Sequence, residues 1–215
     1  MEAPLLFAAA LTEVFDRLDW EALGKHYCFE GGEDFFDEPA REKLFEAQIA
    51  FASETVEALQ KVESTGTAHG LPGSLNSSLY VGAALSEIGP MLAEKILLQR
   101  EVHAFSLDNP ETREINRCLA LAGEQLGLEL PTIQTADLLE ATLPEINHLW
   151  LVSVFNDPEA FPALHDKLYQ REGTDLAMNA GDLAENEARA SHLCRTVFKP
   201  LSRPALLTTS DEELP

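Results

Sequence analysis

Residues 79–90, LYVGAALSEIGP, decide how this chain folds. The apolar run Leu79-Tyr80-Val81 stops at Gly82. Two alanines follow, and Ser86, Glu87 and Pro90 open a stretch of helical character. A short apolar run, a small-residue turn and a helical pattern make the first half of a βα unit. Ser86 is a candidate cap. Pro90 suits a first turn, where its missing N–H had no intrahelical partner. A glycine at such a corner serves a tight turn with positive φ or the close approach of a ligand to backbone.

Downstream the same texture repeats. Strands are predicted at residues 78–83, 101–107, 130–135 and 148–155, and a last one at 205–208. Helices are predicted at 86–98, 110–126 and 158–171, with one more inside 179–201 that Asp182 caps. This alternation predicts an α/β fold, a mostly parallel sheet with helices on both faces. Asp108 before Asn109-Pro110 and Asp157 before Pro158 read first as helix caps.

Upstream the texture is helical. Leu5, Leu6, Ala9, Val14 and Phe15 follow helical spacing over 3–18, and a long helix is predicted from Pro39 to about Val62. The loop EGGEDFFDEP at 30–39 separates them and exposes Phe35 and Phe36. With Trp20 these rings read as a staple docking an N-terminal helix on the core, or as a lid or substrate wall ahead of the sheet. A linker rich in Gly, Ser, Thr and Pro leads to the first strand. Residues 1–70 are therefore a helical extension, and residues 71–215 the α/β domain.

Composition narrows the function. The chain has 215 residues, 45% of them hydrophobic, enough for one buried core. No apolar run has the length a bilayer requires. The start, MEAPLLFAAALTEVFDRL, carries no basic leader and reads as an amphipathic helix rather than a signal peptide. Cys28, Cys118 and Cys194 form no CxxC pair, which fits a reducing, cytoplasmic setting. Asp and Glu number 37 against 15 Lys and Arg, a net charge of -22. Such a surface repels phosphate backbones, and no basic cluster is expected to relieve it, so nucleic acid and anionic membrane are poor partners. The excess acid also serves solubility or a salty cytoplasm.

Motifs exclude several chemistries. The six histidines form no HxH or HExxH pattern, so no metal site is expected. His69, ahead of the first strand, is a candidate general base or an exposed loop residue. Neither a Gly-x-Ser-x-Gly elbow nor a Walker Gly-Lys-Ser/Thr occurs. A dinucleotide fingerprint would put Glu87 where its third glycine belongs, and an acid there opposes a pyrophosphate.

The order of elements resembles the class I S-adenosylmethionine-dependent methyltransferases, over roughly residues 75–210. That family opens on an acid-x-Gly-x-Gly-x-Gly motif, which falls on Tyr80-Val81-Gly82-Ala83-Ala84-Leu85-Ser86. Gly82 matches, Ala84 and Ser86 are small stand-ins, and Tyr80 replaces the acid. The family's ribose-binding acid after the second strand corresponds to Ser106 by register, with Asp108 two residues on. Its acid near the adenine amino group corresponds to Asp137, and its substrate-facing residues after the fourth strand to Asn156 and Asp157. The resemblance implies a Rossmann-like sheet that binds S-adenosylmethionine and methylates a small molecule or a protein. A sulfonium carries no phosphate, so Glu87 opposes it less than it opposes NAD. The chain leaves little room after Thr209 for the sixth and seventh strands usual in that family. This and the lost motif residues support a second reading, a non-catalytic acidic interaction protein on the same fold.

Overall fold

The computed structural model describes residues 2–27, 35–68, 76–171, 174, 177–178 and 181–210. Cys28, His69 and the glycine-rich run 69–75 lie outside them. Three helices come first: α1 (Ala3–Arg17), α2 (Trp20–Tyr27) and α3 (Glu38–Ala68). There follow β1 (Ser77–Val81), one 3-10 turn (Leu85–Glu87), α4 (Ile88–Ile96), β2 (Glu101–Phe105), α5 (Pro110–Leu126) and β3 (Ile133–Gln134). The chain finishes with β4 (Ile146–Leu151), α6 (Pro162–Leu168), α7 (Leu183–Phe198) and β5 (Leu201–Thr209).

The sheet order is β3-β2-β1-β4-β5, and every pairing is parallel. This is the Rossmann-like architecture. The chain builds outward from β1 to β3, then returns to β1's other side with β4. The topological switch point therefore lies between β1 and β4. Register aligns Val81 with both Phe105 and Leu151, so three strands reach the carboxyl rim level with one another.

Period-two alternation sorts the sheet residues onto two cores. Tyr80, Ala104, Ile133 and Trp150 face one core with α1, α4 and α5. Leu79, Val81, Phe105, Leu149 and Leu151 face the other with Phe161, Leu193 and Val197. The extension shares the first core: Ala10, Leu11, Val14 and Phe15 of α1 and Leu23 of α2 are buried in it. Phe45, Phe15, Trp20 and Phe36 meet in series at 5.2–5.6 Å between centroids, tilted or edge-on. Trp20 and Phe36 thus join the core, while Phe35 stays half-exposed against Tyr27 and Phe36.

The structure corrects several local readings. Trp20 begins a helix of its own, α2, which the sequence reading left out. Helix α3 runs past Val62 into the supposed linker. Its cap is Asp37, whose carboxylate accepts the Ala40 N–H at 2.9 Å. Asn109, not Asp108, caps α5 by accepting the Thr112 N–H at 2.9 Å. Asp157 caps a turn rather than a helix, accepting N–H groups of Glu159 and Ala160 at 2.7 and 2.8 Å, and α6 waits for Pro162. Asp182 caps α7 as expected.

Gly89 was not singled out by the pattern, yet it sets how closely α3 approaches α4. A Cβ there would lie 2.5 Å from the Gln48 carbonyl oxygen. Gln48 Oε1 instead accepts the Gly89 N–H at 2.6 Å.

Beneath the sheet centre lies a buried charged network. Arg100, 1% exposed, donates its Nε to Glu94 Oε2 at 2.8 Å. Its remaining nitrogens donate to the Ser77 carbonyl at 3.0 Å, to Asn76 at 3.1 Å, and to Asn147 and Glu63. Glu94 also accepts from the hydroxyls of Ser78 and Tyr80, and His148 Nδ1 lies 2.7 Å from it. Every strong donor thus meets an acceptor, the condition for burying charge.

Candidate functional site

The corner after β1 comes first. Gly82 has φ +72, and a Cβ there would meet Val154 Cγ2 at 3.1 Å. The turn therefore needs glycine both for its left-handed backbone and for the approach of the segment after β4. The N–H groups that follow are already used. Ala83 donates to the Phe105 carbonyl at 3.0 Å, Ala84 to Glu87 Oε2 at 2.9 Å, and Leu85 to Glu111 Oε1 at 2.8 Å. Two carboxylates thus fill the places where a phosphate would sit at a helix start.

Those carboxylates are buried without a cation in contact. Burial pushes Glu87 up to about 7, against hydrogen bonds from Ala84, Ser86 and Trp150, and the neighbouring Glu111 adds to the rise. Burial likewise raises Glu111, opposed by the hydrogen bonds it accepts from Tyr27 and Leu85.

Beside this corner, at the carboxyl rim, opens a cavity of about 320 Å³. The ends of four of the five strands supply part of its wall. Val81 and Gly82 come from β1, Ser106 and Asp108 from the end of β2, and Asp137 and Leu138 from the end of β3. Ser153, Val154 and Asp157 follow β4, and Arg189 and Leu193 come from α7. The apolar part of the wall is Leu107, Leu138, Leu139, Val154 and Phe161. Three carboxylates and one cation, Arg189, line it. The Arg189 guanidinium lies 5.4 Å from the Phe161 ring centroid and donates to the Ala160 carbonyl at 3.3 Å, while Arg113, outside the wall, lies 3.4 Å from the Asp108 carboxylate. Burial raises the Asp157 carboxyl, against the two backbone N–H groups it accepts. Asp137 is exposed and accepts the Leu139 N–H at 2.9 Å.

Of the residues singled out from sequence, Gly82, Ser106, Asp108 and Asp137 line this one cavity. Tyr80, Ala84, Ser86 and Asn156 are not in its wall. Tyr80 is fully buried, stacked on Trp150 at 5.2 Å with its hydroxyl on Glu94. Ser86 turns its hydroxyl to Glu87 at 3.1 Å, and Asn156 donates to the Tyr169 hydroxyl at 3.2 Å. Phe161, Arg189 and Leu193 were missed because helix residues far along the chain give no local sign of facing a rim.

Charge is unevenly spread along the chain. Residues 188–210 contain Arg189, Arg195, Lys199 and Arg203 and no acid. They are a basic run in an acidic chain, and α7 carries two of these cations, with Lys199 at its C-cap, beside the cavity and the groove next to it. Among the described residues, no group of three or more His, Cys, Asp or Glu is placed to hold a metal ion. None of the described helices is long and apolar enough to cross a membrane. Compared with protein-family models, curated proteins and solved structures, the chain matches none.

Proposed function

We propose that the rim cavity binds S-adenosylmethionine and that the protein transfers its methyl group to a small molecule or a protein. The observation that carries this reading is convergence. Gly82, Asp108 and Asp137 each follow a different strand, and all three line one cavity at the switch point. Ligands of open parallel sheets bind there.

The lining also suits the ligand's chemistry. Asp108 would accept from ribose hydroxyls, and Asp137 from the adenine amino group. Leu107, Leu138 and Leu139 supply the apolar walls a purine needs. Three carboxylates against one arginine favour a cationic ligand with many donors over a pyrophosphate. The bound cofactor supplies an electrophilic methyl on sulfur. The chain's part is to hold it, exclude water and aim it at the acceptor. No side chain is assigned as a catalytic base.

A second reading keeps the fold and drops the cofactor, leaving an acidic interaction protein. What favours it is the corner itself: Tyr80 is core, and the N–H groups of Ala84 and Leu85 are taken by the protein's own carboxylates.

A thermal-shift assay separates the two. S-adenosylmethionine or S-adenosylhomocysteine at a hundred times its Kd stabilises by about 2.7 kcal/mol. ATP and NAD serve as controls and are expected to give no shift. No shift from either adenosyl ligand up to millimolar concentration favours the second reading.

A further inference from the structure

A second cavity, of about 670 Å³, lies between residues 139–145 and the C-terminal half of α7. His192, Arg195, Thr196 and Lys199 form one wall and Glu145 stands in the other. His192, Arg195 and Thr196 of α7 and Lys199, its C-cap in helical conformation, follow at helical spacing and therefore share one face. In a chain of net charge -22 cations have many carboxylates to pair with. These do not pair: among the described residues no salt bridge joins His192, Arg195 or Lys199 to an acid. The neighbouring Lys167 does pair, with Glu187 at 2.9 Å. Arg195 spends only its Nε, on the Ser191 carbonyl at 3.1 Å. The run 188–210 contributes no acid of its own, and Glu145 is the one carboxylate among the described residues that line the cavity.

An arginine fork, a lysine ammonium and a threonine hydroxyl on one face make a donor set for an oxyanion. The volume is that of a small-molecule site. We infer that the groove between α7 and residues 139–145 binds a small molecule through its phosphate or carboxylate group, held by Arg195 and Lys199 with Thr196 donating. This site shares only Leu139 with the rim cavity and does not depend on what binds there.

Isothermal titration calorimetry with inorganic pyrophosphate and with citrate tests the inference and separates the two oxyanion classes. At least one of them is expected to bind, more weakly as salt rises. Affinity should fall by about tenfold or more, 1.4 kcal/mol, in the double variant Arg195→Gln/Lys199→Gln. Lys43→Gln, an exposed lysine on α3, should leave binding unchanged. All three side chains are exposed, so each variant is expected to keep the parent's circular dichroism and Tm. Absence of binding by both anions overturns the inference, as does equal affinity in the double variant or an equal loss in Lys43→Gln. Binding of a short polyglutamate peptide but of neither small anion also overturns it, in favour of a protein partner.

Discussion

Glu87 and Glu94 are both buried, at 3% and 0% exposure, and sit a few residues apart on one turn-and-helix segment. Their carboxyls move in opposite directions. Burial pushes Glu94 up, but the adjacent His148, Arg100 and Ser78 outweigh it and hold the group at about 2. Burial also pushes Glu87 up, and there only neutral donors answer, so it stays at about 7. The centre of the sheet is thus neutralised by a cation and locked. The corner beside the cavity is held by dipoles alone, and so responds to pH. The charge-compensated carboxylate thus lies under the sheet, and the uncompensated one at the corner beside the rim cavity.

The largest effect should come from breaking the locked region. Arg100→Leu leaves Glu94 buried without its guanidinium, and a buried charge that loses its partner costs about 3–5 kcal/mol. Urea denaturation measures this. Adding Glu94→Gln should recover part of the loss, because it removes the unpaired charge and keeps an oxygen that can accept from Tyr80 or Ser78. A loss below about 1 kcal/mol for the single variant would contradict the network's role.

Next is pH, where the two carboxylates act in adjoining windows. Glu87 has a raised value, so the folded state binds its proton more tightly than the unfolded chain. Its contribution is full below 4.5 and is lost as pH rises toward about 7, a span worth about 3 kcal/mol. Glu94 has a depressed value, so its contribution is full above 4.5 and is lost as pH falls toward about 2, again by about 3 kcal/mol. These two groups together put maximum stability near pH 4.5. Glu87→Gln should flatten the fall between pH 5 and 7 while leaving the acid limb in place. A fall of unchanged size in that variant would assign it to other groups.

The third effect tests the corner's backbone. Gly82→Ala forces a side chain into φ +72 and into contact with Val154. The conformational part alone costs about 1–2 kcal/mol. The variant should lose urea stability by that amount and weaken any adenosyl-ligand shift, since Gly82 lines the cavity. An alanine variant as stable as the parent would deny that the turn needs glycine.

How much of this could be read from the chain alone follows from which features are local. The bounds of α5, 110–126, were legible because Pro110 opens it and Gly127 ends it in a left-handed cap. Gly82, Asp108 and Asp137 were legible as rim residues because each lies within a few residues of the end of a predicted strand, and a parallel sheet gathers such ends at one rim. Pairings across long sequence gaps were not legible. Arg100 meets Asn147, and Tyr27 meets Glu111, only after folding, and neither pair leaves a spacing to find. Strand β3 is two residues long, Ile133 and Gln134 pairing with Ala104 and Phe105, and Pro131 before it has no N–H to extend the ladder. The cationic wall of α7 was visible in the acid-free run, but it was hidden by averaging charge over the whole chain.

The smallest effect on stability, and the sharpest on function, belongs to Asp137→Asn. Asp137 is exposed and makes one structural hydrogen bond, from the Leu139 N–H to its Oδ1. The amide oxygen of asparagine can accept that bond unchanged. Unfolding free energy should therefore move by no more than about 0.5 kcal/mol, as for other surface substitutions. The second carboxylate oxygen has no such substitute, because an amide nitrogen donates where an adenine amino group must also donate. A hydrogen bond to a charged group is worth about 1.5–3 kcal/mol, so the adenosyl-ligand shift should shrink by a comparable amount. The pairing of an unmoved Tm with a reduced ligand shift is what distinguishes a ligand contact from a structural one. An intact shift would move the adenine elsewhere along the rim, while Gly82 and Asp108 would remain to be tested separately.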